Sequence, residues 1–237
     1  MSLLPWLPSD SLDFPSPEQA LKEPSGLLCA GGDLSPERLE RAYREGIFPW
    51  YEEGSPILWW SPDPRTVLRP DTLHISRSLR RRLNRRDYRV SADTAFDAVV
   101  AACAAPRADT SETWITPEMA EAYGRLHRLG LAHSVEVWSD DTDRAALIGG
   151  IYGVGIGRCF FGESMFSRAT GGSKIALVHL LGQMRHWDMP LLDCQLHNAH
   201  LATLGARPMR RAAFLAELRV LLERPAPPSP WSLDYVW

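Results

Sequence analysis

The residues best placed to do chemistry in this chain lie in the segment Leu191-Leu-Asp-Cys-Gln195. Read as a short strand, the segment alternates its side chains between two faces, so Asp193 and Gln195 are expected on one face and Cys194 on the other. One acid and one amide would then look outward together from a strand end. Cys194 with His197 or His200 can be drawn as a thiol and its base, but the alternation turns Cys194 away from the Asp193 side and argues against that pairing.

Three further clusters carry chemical character. Arg168-Ala-Thr-Gly-Gly-Ser173 opens an amphipathic run. Backbone N–H groups at a helix start bind anions, and the spacing is near the Arg/Gln-x-x-Gly-x-Gly/Ala loop that grips the pyrophosphate of acetyl-CoA, with Ser173 in the last position. An ordinary strand-to-helix turn accounts for the same residues. After His74 the chain turns basic, with Arg77, Arg80, Arg81, Arg82, Arg85, Arg86 and Arg89 interrupted by a single acid, Asp87. Like charges at helical spacing repel, so the cluster favours an anionic partner, with an ordinary solvated helical face as the alternative, and Ile75, Leu79 and Leu83 are left to form its buried side. Trp50, Trp59 and Trp60 stand among prolines, where they either plug a domain interface or form a platform on which a base stacks. The chain has no Gly-x-x-x-x-Gly-Lys-Ser/Thr loop, Gly-x-Ser-x-Gly elbow or His-Glu-x-x-His pair. An enzyme lacking all of these would use a substrate that is already activated.

The elements that must position these groups are legible around Ile148 to Gly205. Two β-branched and aromatic segments meeting at Val154-Gly-Ile-Gly157 predict a hairpin. A helix capped by Ser173 follows, burying Ile175, Leu177, Val178, Leu181 and Met184, and then a strand from Pro190 to Gln195. That order is also the order of the acyl-transfer core of the Gcn5-related N-acetyltransferase fold. Upstream, residues 1 to 26 are proline-rich and predict no regular element. Ser35, Pro36 and Gly46 bracket one helix, Ala95 to Ala105 forms another, and a loop from Ser111 leads to a third, begun by Thr116 and Pro117 and stopped by Gly130. Ser134 to Trp138 alternates as a strand before an acidic turn over Ser139 to Asp143. Asn198 caps a short helix ending at Gly205, and Arg224 to Pro230 reads as a loosely held tail. Pro62 and Pro64 mark a boundary near Arg65.

Composition is that of an ordinary globular chain: 237 residues, 45% hydrophobic, 23% charged and a formal charge of −3. No apolar run approaches the ~20 residues that span a bilayer, and residues 1–7 lack a basic n-region, so neither membrane anchor nor secretory signal is expected and the cytoplasm is the default. The four cysteines are widely spaced, with no zinc pattern, and are expected to be reduced and mostly buried.

Several long motifs in fixed order carry a resemblance. Gly31-Gly-Asp-Leu-Ser-Pro, Gly46-Ile-Phe-Pro-Trp-Tyr, Ile57-Leu-Trp-Trp-Ser-Pro-Asp-Pro-Arg, His74-Ile-Ser-Arg-Ser, Thr113-Trp-Ile-Thr, Gly162-Glu-Ser-Met-Phe-Ser-Arg and Leu192-Asp-Cys-Gln together resemble the leucyl/phenylalanyl-tRNA–protein transferase family. The resemblance implies an α/β (α+β) chain with a smaller N-terminal domain, here residues 1–65, and an acetyltransferase-like catalytic domain over 66–237. It implies transfer of Leu or Phe, less well Met, from aminoacyl-tRNA to proteins with an N-terminal Arg or Lys, marking them for N-end-rule degradation. ATP, a cofactor and a metal are not implied, and a monomer is expected. By the same resemblance Asp193 and Gln195 are catalytic and act as a relay, Asp193 orienting Gln195 and Gln195 accepting from the amine. Because an amide carbonyl is hardly a base, Gln195 is read as positioning the amine and Asp193 as its anchor. Trp50 and Trp114 contact the terminal adenosine, and Glu163 hydrogen-bonds near it. Phe160, Gly162, Met165, Leu177, Leu180 and Leu192 form the donor side-chain pocket. Arg77, Arg80, Arg81, Arg82, Arg85 and Arg86 meet the tRNA acceptor stem. The rival readings are an acetyl-CoA-dependent N-acetyltransferase, which rests on the Arg168 loop and the element order, and a non-catalytic RNA-binding module.

Overall fold

The helices Pro36–Arg44, Pro117–Arg128 and Ala199–Thr203 begin where the local signals put them. The computed structural model describes residues 4–106, 113–141 and 145–237; part of the loop before Thr116 and part of the acidic turn therefore lie outside the described residues. In chain order the elements are β1 (Trp6–Leu7), β2 (Leu27–Gly31), α1 (Pro36–Arg44), β3 (Phe48–Pro49), β4 (Leu58–Trp60), β5 (Arg65–Leu68), α2 (Arg77–Asn84), β6 (Tyr88–Ala92) and α3 (Phe96–Ala104). There follow α4 (Pro117–Arg128), β7 (Ala132–Ser139), β8 (Leu147–Ile156), β9 (Cys159–Ser167), α5 (Gly172–His186), β10 (Leu191–Gln195), α6 (Ala199–Thr203), β11 (Arg207–Met209) and α7 (Arg211–Leu222). Ser35 and Thr116 cap α1 and α4 through their hydroxyls, and Asn198 caps α6 by accepting from the His200 and Leu201 N–H groups. Each cap satisfies backbone donors that a helix start leaves unpaired.

Among the described residues the strands form a four-stranded sheet in the order β1-β2-β4-β3 and a seven-stranded sheet in the order β11-β5-β10-β9-β8-β7-β6. The chain leaves the small sheet at Trp60 and enters the large one at Arg65. β8 and β9 form the expected hairpin, turning at Gly157 and Arg158, and β10 runs parallel to β9 and antiparallel to β5. Parallel neighbours need a crossover, and α5 supplies it. Leu177, Leu180, Leu181 and Met184 of α5 cover one sheet face with Phe160 and Ile151. Phe161, Tyr152 and Val154 face the other way, into a core shared with α1, α3, α4 and α7.

Two expectations are corrected. Ser173 does not cap α5: the cap position is Gly171 in the left-handed region at φ 81°, and the Ser173 N–H donates instead to Ser167 Oγ at 2.8 Å. The helix start also packs tightly on β8, where a Cβ at Gly149 would stand 2.4 Å from the Gly172 carbonyl carbon. Residues 1–26 do contain structure, since β1 pairs in parallel with β2. Beyond the Arg224–Pro230 stretch, which carries no helix or strand, the C-terminal residues are anchored. Trp231 is buried, its ring stacks on His133 at 3.9 Å, and its backbone N–H donates to Asp93 Oδ2 at 2.7 Å. Gln183 Oε1 then accepts the Asp234 and Tyr235 N–H groups.

Candidate active site

β10 reaches the site with its alternation broken at the end. Leu192 and Cys194 face the α5 side, while Asp193 points into the opposite core and is 0% exposed. Simple alternation would send Gln195 after Asp193. Instead a register shift lies between Asp193 and Gln195, and Gln195 takes φ 62°, a left-handed conformation rare for a residue with a side chain. The kink brings Gln195 into the cavity beside Cys194. The expected face-sharing of Asp193 and Gln195, with Cys194 turned away, is therefore corrected by one bulge.

Asp193 serves the site from behind. Its Oδ1 accepts the Gln195 backbone N–H at 2.8 Å, which holds the strained turn. The carboxylate is clamped by Arg65, whose Nε lies 2.9 Å from Oδ1 and whose Nη2 lies 2.6 Å from Oδ2. A second bulge faces the first across the strand pair: register slips between Tyr152 and Gly153 opposite the Gly162–Ser164 stretch, and Glu163 stands at the slip. Glu163 Oε1 accepts from Gln195 Nε2 at 2.8 Å and from Tyr43 Oη at 2.8 Å, and Oε2 accepts from Tyr123 Oη at 2.7 Å. Burial lifts the Glu163 carboxyl to about 7; the Tyr123 and Tyr43 hydroxyls oppose that rise and the nearby Asp193 charge adds to it. An ionised carboxylate only accepts, so it selects the nitrogen end of the Gln195 amide and leaves the Gln195 carbonyl oxygen for the cavity.

The cavity itself measures about 550 Å³. Of the residues expected from the sequence, Trp50, Trp114, Gly162, Glu163, Met165, Leu177, Leu192 and Gln195 line it. Phe160 and Leu180 do not: they lie behind the wall, 1% and 0% exposed, because side-chain alternation and helix rotation send them into the core. Trp50 stands at the mouth, 40% exposed, its ring 5.4 Å from that of Trp60, whereas Trp59 is buried in the core. The three tryptophans thus divide between packing and surface. Cys194, His197 and His200 also line the cavity. Burial, followed by the Asp193 charge, drives the Cys194 thiol well above its ordinary range, so it stays protonated and is a poor nucleophile. Burial and the Lys174 charge lower His200, which keeps its imidazole neutral near pH 7. Among the described residues no group of three or more His, Cys, Asp or Glu could hold a metal ion.

Known proteins resemble both parts of the chain. The sequence model of the leucyl/phenylalanyl-tRNA protein transferase family matches residues 67–219, and that of the family's N-terminal domain matches residues 32–63. The leucyl/phenylalanyl-tRNA–protein transferase of Stutzerimonas stutzeri is 56% identical over 224 residues, covering 94% of this chain and 97% of that one. The chain belongs to the leucyl/phenylalanyl-tRNA–protein transferase family. The Nitrosomonas europaea member is likewise 56% identical, over 94% of this chain and 93% of its own length. Among solved structures, L-PGS from Bacillus licheniformis is similar at a TM-score of 0.40 and 10% identity, covering 84% of this chain and 74% of that one.

In this family member the arginine-rich stretch puts Arg77, Arg80, Arg81 and Arg82 on α2, beside the start of α5, Arg85 and Arg86 in the turn after it and Arg89 in β6. Leu79 and Leu83 are buried as expected, and Arg82 Nε donates to the Thr170 carbonyl, one turn from the cavity-lining Ser173. Arg82 also pairs with Asp87 and lies over the Tyr88 ring. Arg80 lies over the Trp237 ring, and Arg86 donates to the Trp237 carbonyl at 3.0 Å. Arg77, Arg81 and Arg85 are exposed and make no ion pair among the described residues. Arg65, Tyr43 and Tyr123 were not assigned from sequence. Their only local signals are a buried arginine at the head of a strand and tyrosines at apolar helix positions, and neither signal names a partner.

Proposed function

We propose that leucine or phenylalanine, and less readily methionine, passes in this cavity from its tRNA to the N-terminal Arg or Lys of an acceptor protein. The enzyme is an aminoacyltransferase of its family. The peptide bond it makes marks the acceptor for N-end-rule degradation. The observation that carries the catalytic reading is the locked Gln195 amide, whose nitrogen is held by Glu163 and whose carbonyl is left for an incoming amine.

The acceptor's α-amine has a pKa of about 7.7–8.0, so roughly a third is neutral at pH 7.5 and no strong base is required. The neutral amine donates one hydrogen to the Gln195 carbonyl, which aims its lone pair at the ester carbonyl carbon. The C–N bond forms, the bond from that carbon to the ribose oxygen breaks, and the departing oxygen takes up the proton the amine loses. No ATP enters, because the ester already stores the activation. Trp50 and Trp114 are the stacking surfaces for the terminal adenosine, and Met165, Leu177 and Leu192 receive the donor side chain. An apolar wall discriminates by size and transfer free energy, which suits Leu, Phe and Met and separates them weakly.

α2 supplies the surface for the acceptor stem, since it adjoins the loop that opens onto the cavity. The smaller domain ends before Arg65 rather than after it, because Arg65 opens β5 of the seven-stranded sheet, and the catalytic domain runs from there. The hairpin, helix and parallel-strand order of β8, β9, α5 and β10 supports an acetyltransferase-like core. The acetyl-CoA reading is disfavoured by the loop itself. Its Gly172 N–H already donates to the Ala169 carbonyl, and its Ser173 N–H to Ser167 Oγ, so two donors that would grip a pyrophosphate are taken.

The test is transfer of labelled leucine from Leu-tRNA, without ATP, to peptides that differ only in the first residue. Product with Arg or Lys first, and none with Asp or an acetylated terminus, is expected. Equal labelling of all of them, or labelling only when acetyl-CoA is supplied, would overturn the proposal.

A further inference from the structure

We infer that Arg65 is a positioning residue of the transfer reaction, using one guanidinium to fix the donor-side wall of the cavity relative to the strand end that presents Gln195. The inference rests on the reading of Gln195 given above. Arg65 and Asp193 are both 0% exposed, and Asp193 hands the constraint on by accepting the Gln195 N–H at 2.8 Å. The remaining nitrogen, Nη1, donates at 2.9 Å to the carbonyl of Gly46.

Gly46 begins the segment that carries Phe48, Pro49 and Trp50 into the cavity wall. That carbonyl is itself fixed: Gly46 takes φ 71°, any Cβ there would stand 2.5 Å from Leu215, and Ser61 Oγ donates to the same oxygen. The Phe48 and Phe214 rings lie 4.8 Å from the guanidinium carbon and hold it in place. A buried ion pair is a weak source of stability compared with apolar side chains of the same volume. What this pair supplies is geometry, because a planar fork can hold a carboxylate with two nitrogens and a carbonyl with the third. An ammonium keeps the charge and cannot hold both groups in one plane.

The experiment compares Arg65→Lys, Gln195→Ala, their double variant, and Arg65→Met/Asp193→Leu, an apolar pair chosen so that the fold is kept. Arg65→Lys is expected to stay folded and to lose at least about tenfold in kcat with the KM for Leu-tRNA changed by less than about threefold. Adding Arg65→Lys to Gln195→Ala is expected to cost less than about twofold more, since both act through one group. Arg65→Met/Asp193→Leu is expected to fold and to be as slow as Gln195→Ala. A wild-type kcat in Arg65→Lys or in the apolar pair would overturn the inference. So would losses that multiply in the double variant, as two unrelated structural defects would. A wild-type rate in Gln195→Ala would instead overturn the underlying reading, and which single variant keeps its rate tells the two failures apart.

Discussion

Replacing Glu163 by Gln should make the protein more stable and less active at the same time. Burial raises the Glu163 carboxyl from 4.5 to about 7, which at about 1.4 kcal/mol per unit is on the order of 3 kcal/mol. Part of the side chain opens onto the cavity, so solvent reduces this to about 1–2 kcal/mol. The sign follows from proton binding. The folded protein keeps this proton to a higher pH than the unfolded chain, whose glutamates titrate near pH 4.3, so the wild type loses stability as pH rises from about 4.3 through 7. An amide does not titrate and avoids that loss. The two proteins should match at pH 4, diverge between pH 5 and 7, and differ by the full amount at pH 8. Activity should move the other way. Glutamine presents one acceptor and one donor to three groups that now donate, and a hydrogen bond to a charged acceptor is worth about 1 kcal/mol more than a neutral one. Weaker restraint of the Gln195 amide is then expected to cost about five- to tenfold in kcat at pH 8. Urea unfolding at pH 4, 6 and 8 with single-turnover transfer at pH 8 measures both arms. A variant less stable than wild type at pH 8, or one that transfers leucine at the wild-type rate, would refute the reasoning.

Replacing Arg77, Arg81 and Arg85 by Gln should weaken tRNA binding and reduce the slope of log Kd against log salt by about 2, at about 0.7–0.9 per lost phosphate contact; an unchanged slope would remove α2 from the interface. Trp50→Ala and Trp114→Ala should each raise the KM for Leu-tRNA with little change in kcat, by an amount corresponding to about 1–3 kcal/mol of lost base stacking. Steady-state kinetics that show a pure kcat defect would contradict that role. Trp231→Ala removes a buried ring stacked on His133 and should cost about 3–5 kcal/mol. Thermal unfolding that shows a shift of less than a few degrees would mean the C-terminal segment is not anchored there.

How much of this was readable in the sequence depends on the range of the interaction. The β8–β9 hairpin, the span of α5 and the caps at Ser35, Thr116 and Asn198 were legible because their signals lie within a few residues. The placement of Asp193 was not. Strand alternation predicts a shared face with Gln195, and nothing local announces that a glutamine will adopt φ 62°. The Arg65 clamp joins residues 128 positions apart, so each reads alone as an unremarkable charge. The same holds for Tyr43 and Tyr123, whose rings obey the apolar period of their helices while their hydroxyls converge on Glu163. Most of the cavity wall was legible: Gly162, Met165, Leu177 and Leu192 reach it, but Phe160 and Leu180 turn into the core. In α2 the buried leucines were evident, whereas the ties of Arg80, Arg82 and Arg86 to Trp237, Asp87 and Thr170 depend on the fold.

The most direct test of the central claim is Gln195→Ala, measured for leucine transfer to an Arg-peptide and, separately, for affinity toward Leu-tRNA. A fall in kcat of at least about a hundredfold, with Kd for the tRNA held within about threefold, is the result the account predicts. A wild-type kcat, or a defect confined to tRNA affinity, would contradict it.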